Sequence, residues 1–113
     1  MTQAPELAGP ERAEIRLKDV LHALSDPIRL GIVARLRECG DEQRCGSFDV
    51  PVTKSTLTHH FRVLREAGVI CQVYRGTAKM NALRRADLDA LFPGLLDRVL
   101  AAAEAEESRL SGA

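Results

Sequence analysis

The chain has 113 residues, a hydrophobic fraction of 45% and a formal net charge of zero, which suits one soluble domain around one core. It has no apolar stretch long enough to cross a bilayer and no apolar secretory segment at its start, so we expect a cytoplasmic protein without a membrane partner. Its three cysteines, Cys39, Cys45 and Cys71, do not suggest a disulfide scaffold.

The first third of the chain predicts two helices after a flexible start. We expect residues 1–14, rich in Pro, Ala and Glu, to be flexible, and a folded domain to span residues 15–110. Apolar residues recur at spacings of three and four over residues 17–24, which is typical of one helix face. Asp26 followed by Pro27 then predicts the start of a second helix, because Asp caps free N–H groups and Pro suits the first helical position.

A third helix and a hairpin are expected after residues 40–52, whose pattern has no clear period and allows at most a helical turn around residues 45–49. Thr53 would cap the third helix and Gly68 would end it. Residues 69–83 then predict a β-hairpin, and the tail returns to a helical pattern. The fold class that follows is a winged helix-turn-helix, mainly α with a small β-hairpin wing.

Basic residues are concentrated around the third helix and the hairpin. Residues 53–85 hold seven basic side chains and a single acidic one, Glu66, whereas acidic residues outnumber basic ones in the rest of the chain. Such a basic stretch is expected of a phosphate-binding face, but it could equally be a solvated surface.

The third helix has a core face and an outer face, since successive helical residues turn by about 100°. Leu57, Phe61 and Leu64 set the inward direction. The opposite face carries small or cationic hydrogen-bonding side chains and no acid, which favours duplex DNA over an ordinary solvated face or a protein-binding module. The predicted DNA contacts are Lys54, Ser55, Thr58, His59 and Arg62 on the helix, and Arg75 and Lys79 on the wing.

The adjacent histidines His59 and His60 are expected to have separate roles, because neighbouring helical side chains diverge too far to chelate one ion from one face. His59 lies with Ser55 and Arg62 on the DNA side. His60 lies nearer the core face, and we expect it to make a structural hydrogen bond while partly buried.

Three segments, LHALSDPIRLGIVARL, TKSTLTHHFRVLREAGVI and YRGTAKMNAL, resemble the ArsR/SmtB family of bacterial winged-helix repressors. The resemblance covers roughly residues 17–100. It implies a homodimer that represses transcription by occupying a double-stranded DNA operator and that is released by an inducer, often a metal ion such as nickel or zinc.

An apolar stripe on the last helix would be exposed unless it packed on a partner, and we expect it to pair with the first helix across a two-fold axis. The predicted interface residues are Leu17, Leu21, Leu95, Leu96, Val99 and Leu100. Such a dimer would place two recognition helices in successive major grooves, so the expected operator is an imperfect inverted repeat.

No metal site typical of the family can be placed in the sequence. The two-cysteine pattern before the recognition helix is absent, and neither His nor Cys follows Cys71. If a nickel- or zinc-type ion is sensed, the candidate ligands are His22, Cys39 and Cys45. The two thiols Cys39 and Cys45 could instead form a regulated disulfide or be incidental, so a thiol-responsive or ligand-independent regulator stays open.

An enzyme is not expected. The chain has no glycine-rich nucleophile elbow, no phosphate-binding loop and no C-x-x-C motif.

Overall fold

The computed structural model describes residues 6–40, 42–44, 48 and 50–112, which form helices packed around a small antiparallel sheet. The elements in chain order are a 3-10 turn (Arg12–Glu14), α1 (Leu17–Ala23), α2 (Pro27–Cys39), β1 (Gln43–Arg44), α3 (Lys54–Ala67), β2 (Ile70–Arg75), β3 (Ala78–Leu83), α4 (Arg85–Leu91) and α5 (Leu95–Ser111). The predicted fold class, mainly α with a hairpin wing, is confirmed. None of the described helices is long and apolar enough to cross a membrane.

Local capping residues set the ends of α2 and α3, as the sequence predicts. The Asp26 carboxylate accepts hydrogen bonds from the first free N–H groups of α2. The Thr53 hydroxyl accepts one from the Thr56 N–H at 3.2 Å. Both helices end at a glycine in the left-handed region, Gly40 with φ 69° and Gly68 with φ 87°.

The sheet has the strand order β1-β3-β2. The hairpin β2–β3 turns tightly at Gly76, where φ is 64°, and pairs Arg75 with Ala78. On its other edge β3 pairs with β1, which places Gln43 opposite Asn81. The sequence did not predict β1, because a strand of two residues has no alternating pattern to detect. Apart from Phe48, the helical turn expected at residues 45–49 lies outside the described residues.

The core is continuous from α1 through α2 and α3 to the hairpin. Phe61 of α3 is at its centre and packs edge-to-face on Phe48, with ring centroids 5.3 Å apart. The other fully buried apolar side chains include Val20, Ile32, Val33, Leu64, Val69 and Ile70. The position of α3 therefore depends on the packing of its inward face, and the spacing of the apolar residues in the sequence predicts which face that is.

Helix α5 contributes to the core of its own chain. Leu96 and Leu100 are only 2% and 3% exposed, because the break at Gly94 lets α5 pack back on α2 and α4. This corrects the prediction that the whole stripe would be exposed in a single chain. Leu17 and Leu21 of α1 remain exposed, at 46% and 45%, as do Tyr74 on the hairpin and Leu110 near the end of α5.

Residues 6–14, within the segment predicted to be flexible, contact the domain; residues 1–5 are outside the described part of the chain. The Leu7 N–H donates to the Gln72 carbonyl of β2 at 2.9 Å. Further along, Arg12 pairs with Asp87 at 2.6 Å, and this hydrogen bond holds the pKa of the Asp87 carboxyl below its ordinary value. These contacts involve residues far apart in the chain, so local composition gave no sign of them.

Candidate nucleic-acid interface

The outer face of α3 is a row of exposed hydrogen-bonding side chains. The buried residues of the helix are His60, Phe61, Leu64 and Ala67. All five of the predicted contacts on this helix are exposed, and we call them the reading face: Lys54, Ser55, Thr58, His59 and Arg62. Leu57, predicted to be buried, is half-buried at the edge of the core.

Hydroxyl groups near the start of α3 are held by the helix itself. The Thr58 hydroxyl donates to the Lys54 carbonyl at 3.0 Å, and the Ser55 and Thr53 hydroxyl oxygens lie 3.3 Å apart. A hydroxyl that donates keeps its acceptor lone pairs, so the exposed Thr58 oxygen can still accept a hydrogen bond. The start of the helix therefore presents acceptors as well as the cation of Lys54.

The wing carries the other two predicted contacts, and the structure adds an acidic partner to one of them. Arg75, exposed near the hairpin tip, pairs with Glu42 through two hydrogen bonds of 2.8 and 3.2 Å. The hydrogen bond and the charge of Glu42 raise the pKa of Arg75. Lys79 on the facing strand is half-buried, opposite Tyr74. Sequence reasoning missed Glu42, which lies in the segment without a clear period.

A buried chain of polar side chains joins α3 to the wing. Gln72 and Asn81 are both 0% exposed, and the Gln72 amide donates to the Asn81 side-chain oxygen at 2.6 Å. The Arg65 guanidinium, on α3, donates to the Gln72 side-chain oxygen at 2.7 Å. Asn81 in turn donates to the Gln43 carbonyl of β1 at 3.0 Å. The wing cannot slide past α3 without breaking these hydrogen bonds, so helix and wing form one unit.

The two neighbouring histidines have different surroundings, as the sequence predicts. His59 is exposed on the reading face. The His60 ring, 9% exposed, has its Nδ1 atom 3.2 Å from the buried guanidinium of Arg29. The predicted structural hydrogen bond of His60 is confirmed.

The candidate metal ligands do not form a site within the described part of the chain. His22 on α1 and Cys39 at the end of α2 are both exposed, whereas Cys45 lies outside the described residues. Among the residues that the structure covers, no group of three or more His, Cys, Asp or Glu side chains could hold a metal ion. Burial raises the pKa of the Cys71 thiol, which makes this cysteine a poor nucleophile.

An exposed helix with a cationic, acid-free face, joined rigidly to a β-hairpin, defines a winged helix-turn-helix DNA-binding protein. Comparison with known proteins agrees with this class. The uncharacterized HTH-type transcriptional regulator YceK of Bacillus subtilis (strain 168) is 34% identical over 80 residues, which are 69% of this chain and 80% of that protein.

The fold matches a crystal structure of an ArsR family transcriptional regulator with a TM-score of 0.60 and 19% identity, over 91% of this chain and 99% of that one. No family model matches the sequence. The chain belongs to the helix-turn-helix (HTH-type) transcriptional regulators. It is a DNA-binding regulator and not an enzyme.

Proposed function

We propose that the chain is a homodimeric repressor that binds an imperfect inverted repeat and blocks transcription by occupying the promoter. The observation that carries this proposal is the reading face, which lies on one exposed side of α3 beside a wing that is fixed to the same helix. Short residues at the start of α3 would let the helix enter the major groove, while Arg62 and Lys54 would reach a guanine edge or a phosphate.

Exposed apolar side chains on α1 and complementary charge on α5 support the dimer. Leu17 and Leu21 are nearly half exposed, and two cations lie beside them in the chain, Arg16 at the N-cap of α1 and Lys18 in its first turn. A groove of about 990 Å³ runs between α2 and α5. Its lining includes Leu30, Ala34, Ala103 and Leu110 together with Glu104, Glu106 and Glu107. A second copy's α1 would place leucines on the apolar floor and cations beside the acids.

The interface in this proposal differs from the one expected from sequence alone. Leu96 and Leu100 are buried in the core of their own chain, although Leu100 also borders the groove, so the exposed Leu110 and the other apolar residues of the groove take their place in this proposal. Leu95 and Val99 are half-buried and stay at the edge of the interface. Leu17 and Leu21 keep their predicted role.

For the effector, the proposal is a nickel- or zinc-type ion that changes the separation of the two recognition helices. His22 and Cys39 are the exposed donors that could bind it together with groups of the second copy. A footprint on DNA, repeated with nickel, with zinc and with a chelator, tests this step. An unchanged footprint in all three conditions would exclude a metal effector and leave the thiol-responsive or ligand-independent regulator.

Selection of a duplex from a random-sequence pool tests DNA recognition directly. The wild-type protein should enrich an imperfect inverted repeat, and its affinity should fall steeply as salt rises because phosphate contacts release counterions. Arg62→Ala should lose about 1–3 kcal/mol of binding free energy on the selected duplex, with relaxed preference at the base it contacts. His59→Ala should also reduce sequence preference.

Glu66→Ala provides the matched control, since Glu66 is exposed on the same helix but is not part of the reading face. The affinity of this variant for the selected duplex should equal that of the wild type, or rise slightly because a negative charge is lost. Unchanged binding in Arg62→Ala would show that the reading face is wrongly assigned. If the wild type enriched no sequence and bound no duplex in a salt-dependent way, the proposed function itself would be wrong.

A further inference from the structure

A buried cation lies at the junction of α1, α2 and α3. Arg29 of α2 is only 8% exposed. Its guanidinium donates to the carbonyl groups of Ala23 at 2.6 Å and His22 at 3.3 Å, both in the last turn of α1. The remaining contact is the one to His60 of α3, at 3.2 Å. Within the described residues, therefore, every hydrogen bond of this guanidinium goes to a neutral acceptor.

The chemistry of the Arg29 contact fixes the state of the His60 ring. A guanidinium has N–H donors and no acceptor, so the Nδ1 atom of His60 must accept. The imidazole is then neutral and carries its proton on Nε2. A protonated ring would offer a second donor to the guanidinium and would turn instead toward the Asp26 carboxylate, whose Oδ2 atom is 3.9 Å from Nδ1. That carboxylate is already used to cap α2.

The geometry points to His60 as a positioning residue for DNA recognition, one that sets the orientation of α3 relative to α1 through Arg29. His60 directly follows His59 and precedes Arg62 by half a helical turn, so a rotation of α3 at His60 displaces both reading-face side chains. A buried cation tolerates the loss of an acceptor poorly, because the freed N–H is left without a partner. This inference rests on the proposed function, since it concerns how the same DNA site is held in register.

Two substitutions separate the hydrogen bond from the packing of the ring. His60→Asn places an amide oxygen at the same number of bonds from the backbone as Nδ1, so it can accept from Arg29. His60→Leu keeps an apolar body of similar size and removes the acceptor. Asn is the smaller of the two, so a role in packing alone would favour Leu, whereas a role as acceptor favours Asn.

The readout is the ratio of affinities for a duplex selected by the wild-type protein and for a scrambled duplex of the same composition. For His60→Leu we expect binding to the selected duplex to weaken about tenfold, as for one lost hydrogen bond to a charged group. Binding to the scrambled duplex should stay within about twofold, because phosphate contacts carry no sequence information. His60→Asn should keep most of the wild-type ratio.

Two results would overturn the inference while leaving the proposed function intact. They are a Leu variant that discriminates like the wild type, and an Asn variant that discriminates no better than a folded Leu variant. If the Leu variant fails to fold by circular dichroism, the Asn variant decides, because a folded Asn variant that loses the wild-type ratio would overturn the inference. A wild-type protein that selects no duplex would instead overturn the proposed function, and this inference with it.

Discussion

Three polar residues that composition would place in solvent, Arg29, Gln72 and Asn81, are buried. In the described part of the chain, every buried side-chain nitrogen or oxygen atom has a hydrogen-bond partner. Buried polar groups that are fully paired favour one arrangement over its neighbours, because any shift leaves a donor or acceptor unmet. Arg29 fixes α3 against α1, while Gln72 and Asn81 fix it to the wing, so the reading face is held from both sides.

The buried Gln72 amide should be necessary for the stability of the wing. Gln72→Leu removes the acceptor of Arg65 and the donor to Asn81, and we expect the free energy of unfolding to fall by about 1–3 kcal/mol. Urea denaturation followed by circular dichroism measures this. Tyr74→Leu, on the same strand but exposed, should change stability by less than about 0.5 kcal/mol. Equal stability of Gln72→Leu and the wild type would show that the amide chain does not stabilise the wing.

The exposure or burial of single side chains was predicted correctly from the sequence where helix geometry alone decides in which direction the side chain points. The exposure of Ser55, His59 and Arg62 and the burial of His60 follow from the position of Phe61 on the same helix. The partners of those residues could not be predicted. Arg29 is 31 residues from His60 along the chain, and no local pattern indicates which distant side chain will meet a buried one.

At the scale of elements, features that neighbouring residues determine were predicted, and features that distant residues determine were missed. The ends of α2 and α3 were predictable because caps and glycines act within a few residues of the end that they define. The strand β1 and the contact of Leu7 with β2 were not, since each depends on pairing with a strand far along the chain. A prediction from composition alone assigns such segments to loops.

The glycine that ends α3 should tolerate substitution less well than the one that ends α2. Both Gly68 and Gly40 have positive φ, so alanine at either position should cost about 1 kcal/mol of backbone strain. A Cβ at Gly68 would also lie 2.6 Å from Ile15, whereas one at Gly40 would meet nothing within 4 Å. We expect Gly68→Ala to lower the midpoint of thermal unfolding clearly more than Gly40→Ala.

The Gly40 variant is the control for strain without a clash, so the difference between the two variants reports the contact with Ile15. Ile15 is itself part of the core, at 7% exposure, and has little space into which to move. Equal losses of stability in the two variants would mean that Ile15 moves away freely and that the end of α3 at Gly68 is not tightly packed against it.

At the scale of the whole molecule, α5 divides into two halves with different roles. Its first half closes the core of its own chain through Leu96 and Leu100. Its second half continues as an exposed acidic helix to Leu110, which is 75% exposed, and the chain measures 54 × 32 × 22 Å along its principal axes. A solvated helix of this kind beside an open groove is unusual in a monomer, and α1 leaves two leucines exposed as well, which is why we assign both surfaces to contacts with the second copy.

Leu21 offers the sharpest test of that assignment. Leu21→Glu places a negative charge where α1 is proposed to meet the acidic half of α5, and it removes an apolar side chain from both halves of a symmetric interface. Burial of a leucine contributes about 1.5–3 kcal/mol, so the dimer dissociation constant should rise by more than about tenfold. Sedimentation equilibrium should show the wild type at twice the 12.4 kDa of one chain and the variant shifted toward one.

Tyr74→Glu is the matched control, because Tyr74 is 39% exposed, close to the 45% of Leu21, but lies on the wing. It should stay dimeric, which separates loss of the interface from a general effect of added charge. Leu21→Glu should in addition bind the selected duplex more weakly than the wild type, although its reading face is unchanged, because two linked half-sites bind far more tightly than one. A wild-type protein that sediments as a single chain at micromolar concentration would rule out the dimer, and operator binding would then require only one half-site.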